Sequence, residues 1–312
     1  MIRRWPLLVS LLPLLLGLAV YGQFWRGWAA GFETTLAHWF PGETPAVTGF
    51  PYRLESELAG VRLARGPVTA NVSRLRLNRG PWRPELTVMQ GQGVAVAARL
   101  AGLGPRLAAA VGTASLKLDG ERLARLSLVL PRARGNAGFG PDFVADSFEL
   151  HVREISGVAG DGPELPVRGQ LVIGATGLRL AAGAPIALAG DIMARGSSRL
   201  DDAARWLASD GSLDAVLTGS DATGEMFKLE ATIVPVQGRL QLAGTITTVC
   251  PLAVQAALAG TAAPAEQRLR APVRLALDSA LPATGAVLLS GIPADLATRA
   301  RRGQVPACPR LR

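Results

Sequence analysis

The chain has 312 residues, 49% of them hydrophobic, 18% charged and only 5% aromatic, with a net charge of +9. That length and apolar content allow one large or two ordinary domains with an aliphatic core, and they exclude a disordered chain. The positive balance is carried by arginine, with Lys117 and Lys228 the only lysines. No platform of interleaved aromatic and basic residues accompanies it, which sets nucleic acid aside as a partner and leaves an anionic membrane surface or plain composition bias.

The run from Trp5 to Trp25 holds eight leucines and no formal charge, with Arg3 and Arg4 before it and Arg26 after it. At about 1.5 Å per helical residue it spans roughly 30 Å, the thickness of a hydrocarbon core. It is expected to be an uncleaved transmembrane anchor over residues 1–26, with Trp5, Trp25 and Trp28 at the membrane interface. A cleaved signal peptide is the alternative, but Tyr21, Phe24, Trp25 and Trp28 crowd the place where a peptidase needs small residues. The basic flank predicts a cytoplasmic N-terminus, a single pass through the inner membrane and a periplasmic body. Over residues 27–41 the spacing of Phe24, Trp28, Phe32, Leu36 and Trp39 or Phe40 predicts an amphipathic helix, stopped by Pro41-Gly42.

After Pro45 the rhythm changes to twos. Tyr52, Leu54, Ser56 and Leu58 alternate with charged residues, Gly60 marks a turn, and Val68, Ala70 and Val72 lead to Leu75 and Leu77. Leu86 and Val88, then Val94 and Val96, lie on either side of Gly91-Gln92-Gly93, and Asp119-Gly120 is a hairpin signal. Phe148, Leu150 and Val152 close a first β-rich half, residues 42–156, with the boundary at Gly157 to Gly162. The second half, residues 163–312, continues with Leu171, Ile173, Leu178 and Ile186. A helix is expected over Leu200 to Ala208, with Ser197 or Ser198 at its start and Asp201 and Asp202 in its first turn. Further helices are expected over Cys250 to Leu258 and Pro293 to Arg302. The fold class is mainly β (α+β): an N-terminal transmembrane helix, then an extensive curved antiparallel sheet with a few packed helices.

Two cysteines, Cys250 and Cys308, each precede a proline. In an oxidising compartment they are expected to pair; two buried free thiols are the alternative.

Gly49-Phe50-Pro51-Tyr52-Arg53, placed soon after the amphipathic helix, resembles the signature of a proteobacterial family known as domain of unknown function 2125. The later layout is similar too: Gly211-Ser212-Leu213-Asp214, Pro272-Val273-Arg274-Leu275 and Gly285-Ala286-Val287-Leu288-Leu289. The resemblance covers most of the chain and implies a membrane-anchored, exported, β-rich protein with no assigned reaction, so it carries no catalytic residue over. The second half is also similar to the strand-pair repeats of AsmA-like envelope proteins, which are associated with lipid handling. Physically, Gly49 permits an unusual backbone angle, Pro51 stiffens the entry and Phe50 can bury at the base of the first strand, so the signature is read as structural.

Catalytic, metal and cofactor residues are expected to be none. His38 lies among Trp39 and Phe40, and His151 sits on an alternating strand between Leu150 and Val152; neither belongs to a zinc spacing or a nucleophile elbow. Gly91-Gln92-Gly93 and Gly138-Phe139-Gly140 begin dinucleotide fingerprints that lack a third glycine. Arg62, Arg65, Arg74, Arg76, Arg79 and Arg83, and a tail from Arg299 to Arg312, could meet an anionic surface if folding gathers them on one face. The expected function is a non-catalytic envelope binding or scaffold protein that shelters lipid or another apolar ligand. A protein-interaction subunit of a secretion or cell-wall complex is the alternative.

Overall fold

The computed structural model describes residues 5–99, 103–120, 122–138, 140–155, 165–198, 200, 203–208, 210–236, 239–281, 287, 289–301, 303 and 306–312, and the backbone alone of 5–10, 203, 204 and 207. One helix, α1 (Trp5–Trp39), opens the chain. Thirteen strands follow in one antiparallel sheet whose spatial order is the sequence order. They are β1 (Leu54–Arg65), β2 (Val68–Arg79), β3 (Leu86–Ala98), β4 (Arg106–Asp119), β5 (Arg122–Asn136), β6 (Phe143–Glu154), β7 (Val167–Leu180), β8 (Ile186–Arg195), β9 (Ser212–Asp221), β10 (Gly224–Val236), β11 (Arg239–Thr248), β12 (Val273–Leu281) and β13 (Leu289–Ser290). Among the described residues two short helices interrupt the meander, α2 (Ala203–Ala208) and α3 (Pro251–Ala259), and a third, α4 (Leu296–Arg299), follows it.

Consecutive strands can pair through short turns, so every contact of the sheet is between sequence neighbours. The mainly β expectation holds. Sequence and structure part at the glycines. Gly60 lies inside β1 and Gly93 inside β3; both adopt left-handed angles, φ +67° and φ +60°. The register places each of them level with Ser73 of β2. Glycine accepts that conformation without ending a strand, so what reads as a turn is a kink in the sheet. The real reversal is at Gly66-Pro67, between β1 and β2. The expected boundary at Gly157 to Gly162 lies outside the described residues, and β6 pairs β7 on either side of it.

Helix α1 runs without a break from the leucine run into the amphipathic segment, and Pro13 is inside it. The expected transmembrane helix is not found: among the described residues no helix is long and apolar enough to cross a membrane. In α1 the leucine run is followed by Gln23, Arg26 and Glu33, and the side chains of residues 5–10 lie outside the described residues. Its C-terminal part is a docking helix. Ala29, Phe32, Leu36 and Phe40 are buried against Leu54, Leu58, Val61, Leu75 and Leu77 of β1 and β2. Residues 11–20, by contrast, are exposed at every position.

Helix α2 is described from Ala203, and the expected first turn with Asp201 and Asp202 lies outside the described residues. Helix α4 is shorter than expected: after it Ala300 turns extended and bridges Leu269. Helix α3 starts at a proline, whose missing N–H costs nothing there, and ends at Gly260 in a left-handed cap where Thr261 N–H donates to Ala256 O at 2.9 Å.

A candidate apolar binding face

Strand geometry sends alternate side chains to opposite faces, and here the pairing carries each choice across the whole sheet. One ladder runs Ser56, Leu77, Met89, Ala114, Leu128, Leu150, Ile173, Gly190, Leu217, Leu229, Ile246, Leu275, with no charged residue from β1 to β12. The ladder one residue away holds Asn78, Ser115, Ser127, His151, Asp191 and Glu230, with Val172 and Val216 exposed among them. One face is therefore aliphatic and the other polar.

The apolar face is curled, and glycines let it curl. Gly219 is covered by the ring of Phe227, Gly190 by Leu217 and Gly112 by Leu130, so a Cβ at any of them would collide with its neighbour's side chain. Into the hollow fits α3, whose Ala253, Ala256 and Ala257 are buried with Leu130, Ala145, Phe148, Ala175 and Ile186. Alanine at these positions keeps the helix thin enough to approach the sheet. The C-terminal tail seals the same end: Ala184 N–H donates to Arg310 O at 2.7 Å and Leu311 is buried.

Cover is unequal along the strands. At the end served by α3 and the tail, Leu130, Phe148 and Ala175 are buried. Toward the opposite end, Leu116, Leu126, Val152, Leu171, Ile173 and Ile192 are only half-buried. The apolar face is neither a closed core nor a flat surface; it is a trough roofed at one end. At the strand ends away from that opening, β3 to β6 border an open pocket of about 520 Å³ lined by Val96, Leu107 and Phe143, with Arg106, Arg134 and Asp142 around it. That volume lies in the range of small-ligand sites.

Two non-local contacts fix the roof. Cys250 and Cys308 form a disulfide, Cα to Cα 5.7 Å, which ties the start of α3 to the tail. Beside it the buried Glu266 carboxylate accepts from Leu252 N–H and Ala253 N–H, both at 3.0 Å, and so caps α3 from outside the helix. Burial pushes the Glu266 carboxyl above its ordinary value, while those two N–H groups pull it back. Arg268, also buried, pairs with Asp221 at the end of β9. Nothing in its local sequence marks Glu266 as a cap or Arg268 as a partner, because both contacts span loops.

The signature residues meet α1. Gly49 has φ +98°, and a Cβ there would lie 2.9 Å from Arg53 O, so only glycine fits the turn closed by Arg53 N–H donating to Gly49 O at 3.0 Å. Tyr21 Oη donates to Pro51 O at 2.5 Å and Trp25 Nε1 donates to Arg53 O at 3.2 Å. Phe50 and Tyr52 stay exposed rather than burying at the base of β1. Trp25 and Trp28 are half-buried on α1; the side chain of Trp5 lies outside the described residues.

The early arginines do not gather. Arg74 and Arg76 pair with Glu57 and Glu55, at 3.2 Å and 2.8 Å, on the polar face, while Arg79 is buried on the other. In the tail, Arg299 pairs with Asp295 at 2.8 Å and Arg312 with Gly260 O. His151 faces the polar side opposite Ser127, 3.6 Å from Glu149, and does not line the pocket bordered by β3 to β6; His38 is exposed on α1. Cys250, Glu266 and Cys308 come close enough to hold a metal ion only if the disulfide were open.

Compared with known proteins, the chain matches no curated protein and no solved structure. A family model matches it over residues 43–293, from just after α1 to just before α4, and the chain belongs to that family, described as uncharacterized protein conserved in bacteria, domain of unknown function 2125.

Proposed function

We propose that this chain is a non-catalytic envelope protein that shelters an acyl chain or similar apolar ligand in the trough, held at a membrane by α1. One observation carries the ligand: a ladder of uncharged, mostly aliphatic side chains crosses twelve strands, and in β4–β7 it is left half-buried. A soluble fold gains about 25 cal/mol per Å² by covering such surface, so a long aliphatic strip left only half-buried favours an occupant. The exposed leucines of residues 11–20 support the membrane attachment, and the disulfide suits an oxidising compartment such as the periplasm.

A fluorescent fatty acid titrated into the purified full chain tests the ligand. Ile173→Arg, on the apolar face, should abolish the signal, and Val172→Arg, one residue away on the polar face, should leave it intact. Equal binding by both variants would refute a site in the trough. Stoichiometric capture of one envelope protein by the polar face, with no apolar ligand bound, would instead support an interaction subunit.

A further inference from the structure

Where α1 leaves its exposed segment, aromatic rings collect from three separate parts of the chain. Tyr21 lies 6.0 Å from Phe50 and 6.3 Å from Trp82, ring centre to ring centre, and Trp82 is 6.4 Å from Trp28. Phe50 belongs to the turn before β1 and Trp82 to the turn between β2 and β3. Despite these contacts the cluster is not a core: Trp82 is 65% exposed and Phe50 47%, and Tyr52, two residues on from Phe50 in the chain, is 73% exposed. It is continuous with the leucine segment of residues 11–20, and Arg26 and Arg83 stand exposed beside it.

We propose that this cluster, including Phe50 and Tyr52 of the signature and Trp82, is a second point of membrane contact that seats the sheet in the headgroup layer of an anionic phospholipid bilayer. The occupant follows from chemistry and continuity. Amphipathic rings favour the headgroup depth, with the apolar body inward and the N–H or O–H toward water, and basic residues favour anionic lipid there. A neighbouring helix segment apolar on every side supplies the deeper contact. Two contacts also fix orientation. The turns that carry Phe50 and Trp82 lie at the strand end where Leu116, Leu126, Val152 and Leu171 are half-buried, away from the end roofed by α3. The seat therefore holds the open end of the trough against the lipid surface, a route by which an acyl chain could pass without crossing water; this rests on the membrane attachment proposed above.

The test places the photoreactive residue p-benzoylphenylalanine at one position of the full chain (Trp82, Tyr52 or Val172) and mixes each variant with vesicles of phosphatidylethanolamine and phosphatidylglycerol. Flotation reports attachment, and mass spectrometry reports lipid adducts after illumination. Floating chain with lipid adducts at positions 82 and 52, and none at 172, is the expected result. Floating chain with no adduct at 82, or with adducts at 172 as abundant as at 82, overturns the seat while leaving the attachment and the ligand site standing. Chain that fails to float overturns both the attachment and the seat. Retention of the disulfide in each variant confirms that the fold survives the substitution.

Discussion

The guanidinium carbon of Arg79 lies 4.4 Å from the centre of the Phe32 ring. Arg79 Nε donates to Thr87 Oγ1 at 3.1 Å, and burial lowers the Arg79 pKa from its ordinary value. A charged residue on the apolar face thus clamps α1 to β2, with the ring standing in for water. Phe32→Ala should cost about 3–5 kcal/mol, because it opens a cavity and strips the buried charge of its partner. Arg79→Met should lie within about 1–2 kcal/mol of wild type, since a buried charge can often be replaced by an apolar side chain of similar volume. Urea unfolding with an unchanged slope measures both; a reversed order would contradict the clamp.

The pair Asp221–Arg268 makes a second case. Arg268 is 4% exposed, and Asp221 also accepts from Thr223 N–H at 2.8 Å. Asp221→Ala leaves the guanidinium buried without its carboxylate and should destabilise by about 3–5 kcal/mol. The double change Asp221→Leu with Arg268→Met should recover most of that loss. An additive double variant would show that the two groups do not act as a pair.

Loss of the Cys250–Cys308 bridge should loosen the roof of the trough. The crosslinked residues are 58 apart, for which chain entropy gives about 4 kcal/mol. Cys250→Ser with Cys308→Ser should lower the unfolding midpoint accordingly and speed hydrogen exchange in α3 more than in β1 and β2. Uniform exchange across the sheet would mean that the bridge does not act on the roof.

Glu266 sets a pH dependence. Its folded pKa is raised, so the stability it contributes is fully present below the unfolded value near 4.5 and is lost as pH rises through the folded value. Between those two pH values wild type should lose stability with rising pH relative to Glu266→Gln, which keeps an acceptor for α3 but cannot ionise. Parallel pH profiles for the two proteins would rule out Glu266 as the titrating group.

Much of the sheet was legible because Leu150 and Ile173 obey a period of two that pairing neighbours share. Gly60 misled because glycine at a kink and glycine at a turn look alike in sequence. The trough was only half legible. Its lining follows from alternation, but its roof depends on α3 and Leu311, which arrive from far along the chain. The contact of Tyr21 with Pro51 was likewise hidden, since 30 residues separate them. The helix that holds the first apolar run continues past it and docks on β1 and β2, a contact between segments far enough apart in sequence that periodicity does not report it.

Native mass spectrometry of the full chain, purified from membranes in mild detergent, tests the apolar site most directly. The expected spectrum shows one lipid-sized mass retained by wild type and by Val172→Arg and missing from Ile173→Arg. A wild-type chain that carries no such mass, or one that Ile173→Arg retains equally, would contradict a sheltering role for the trough.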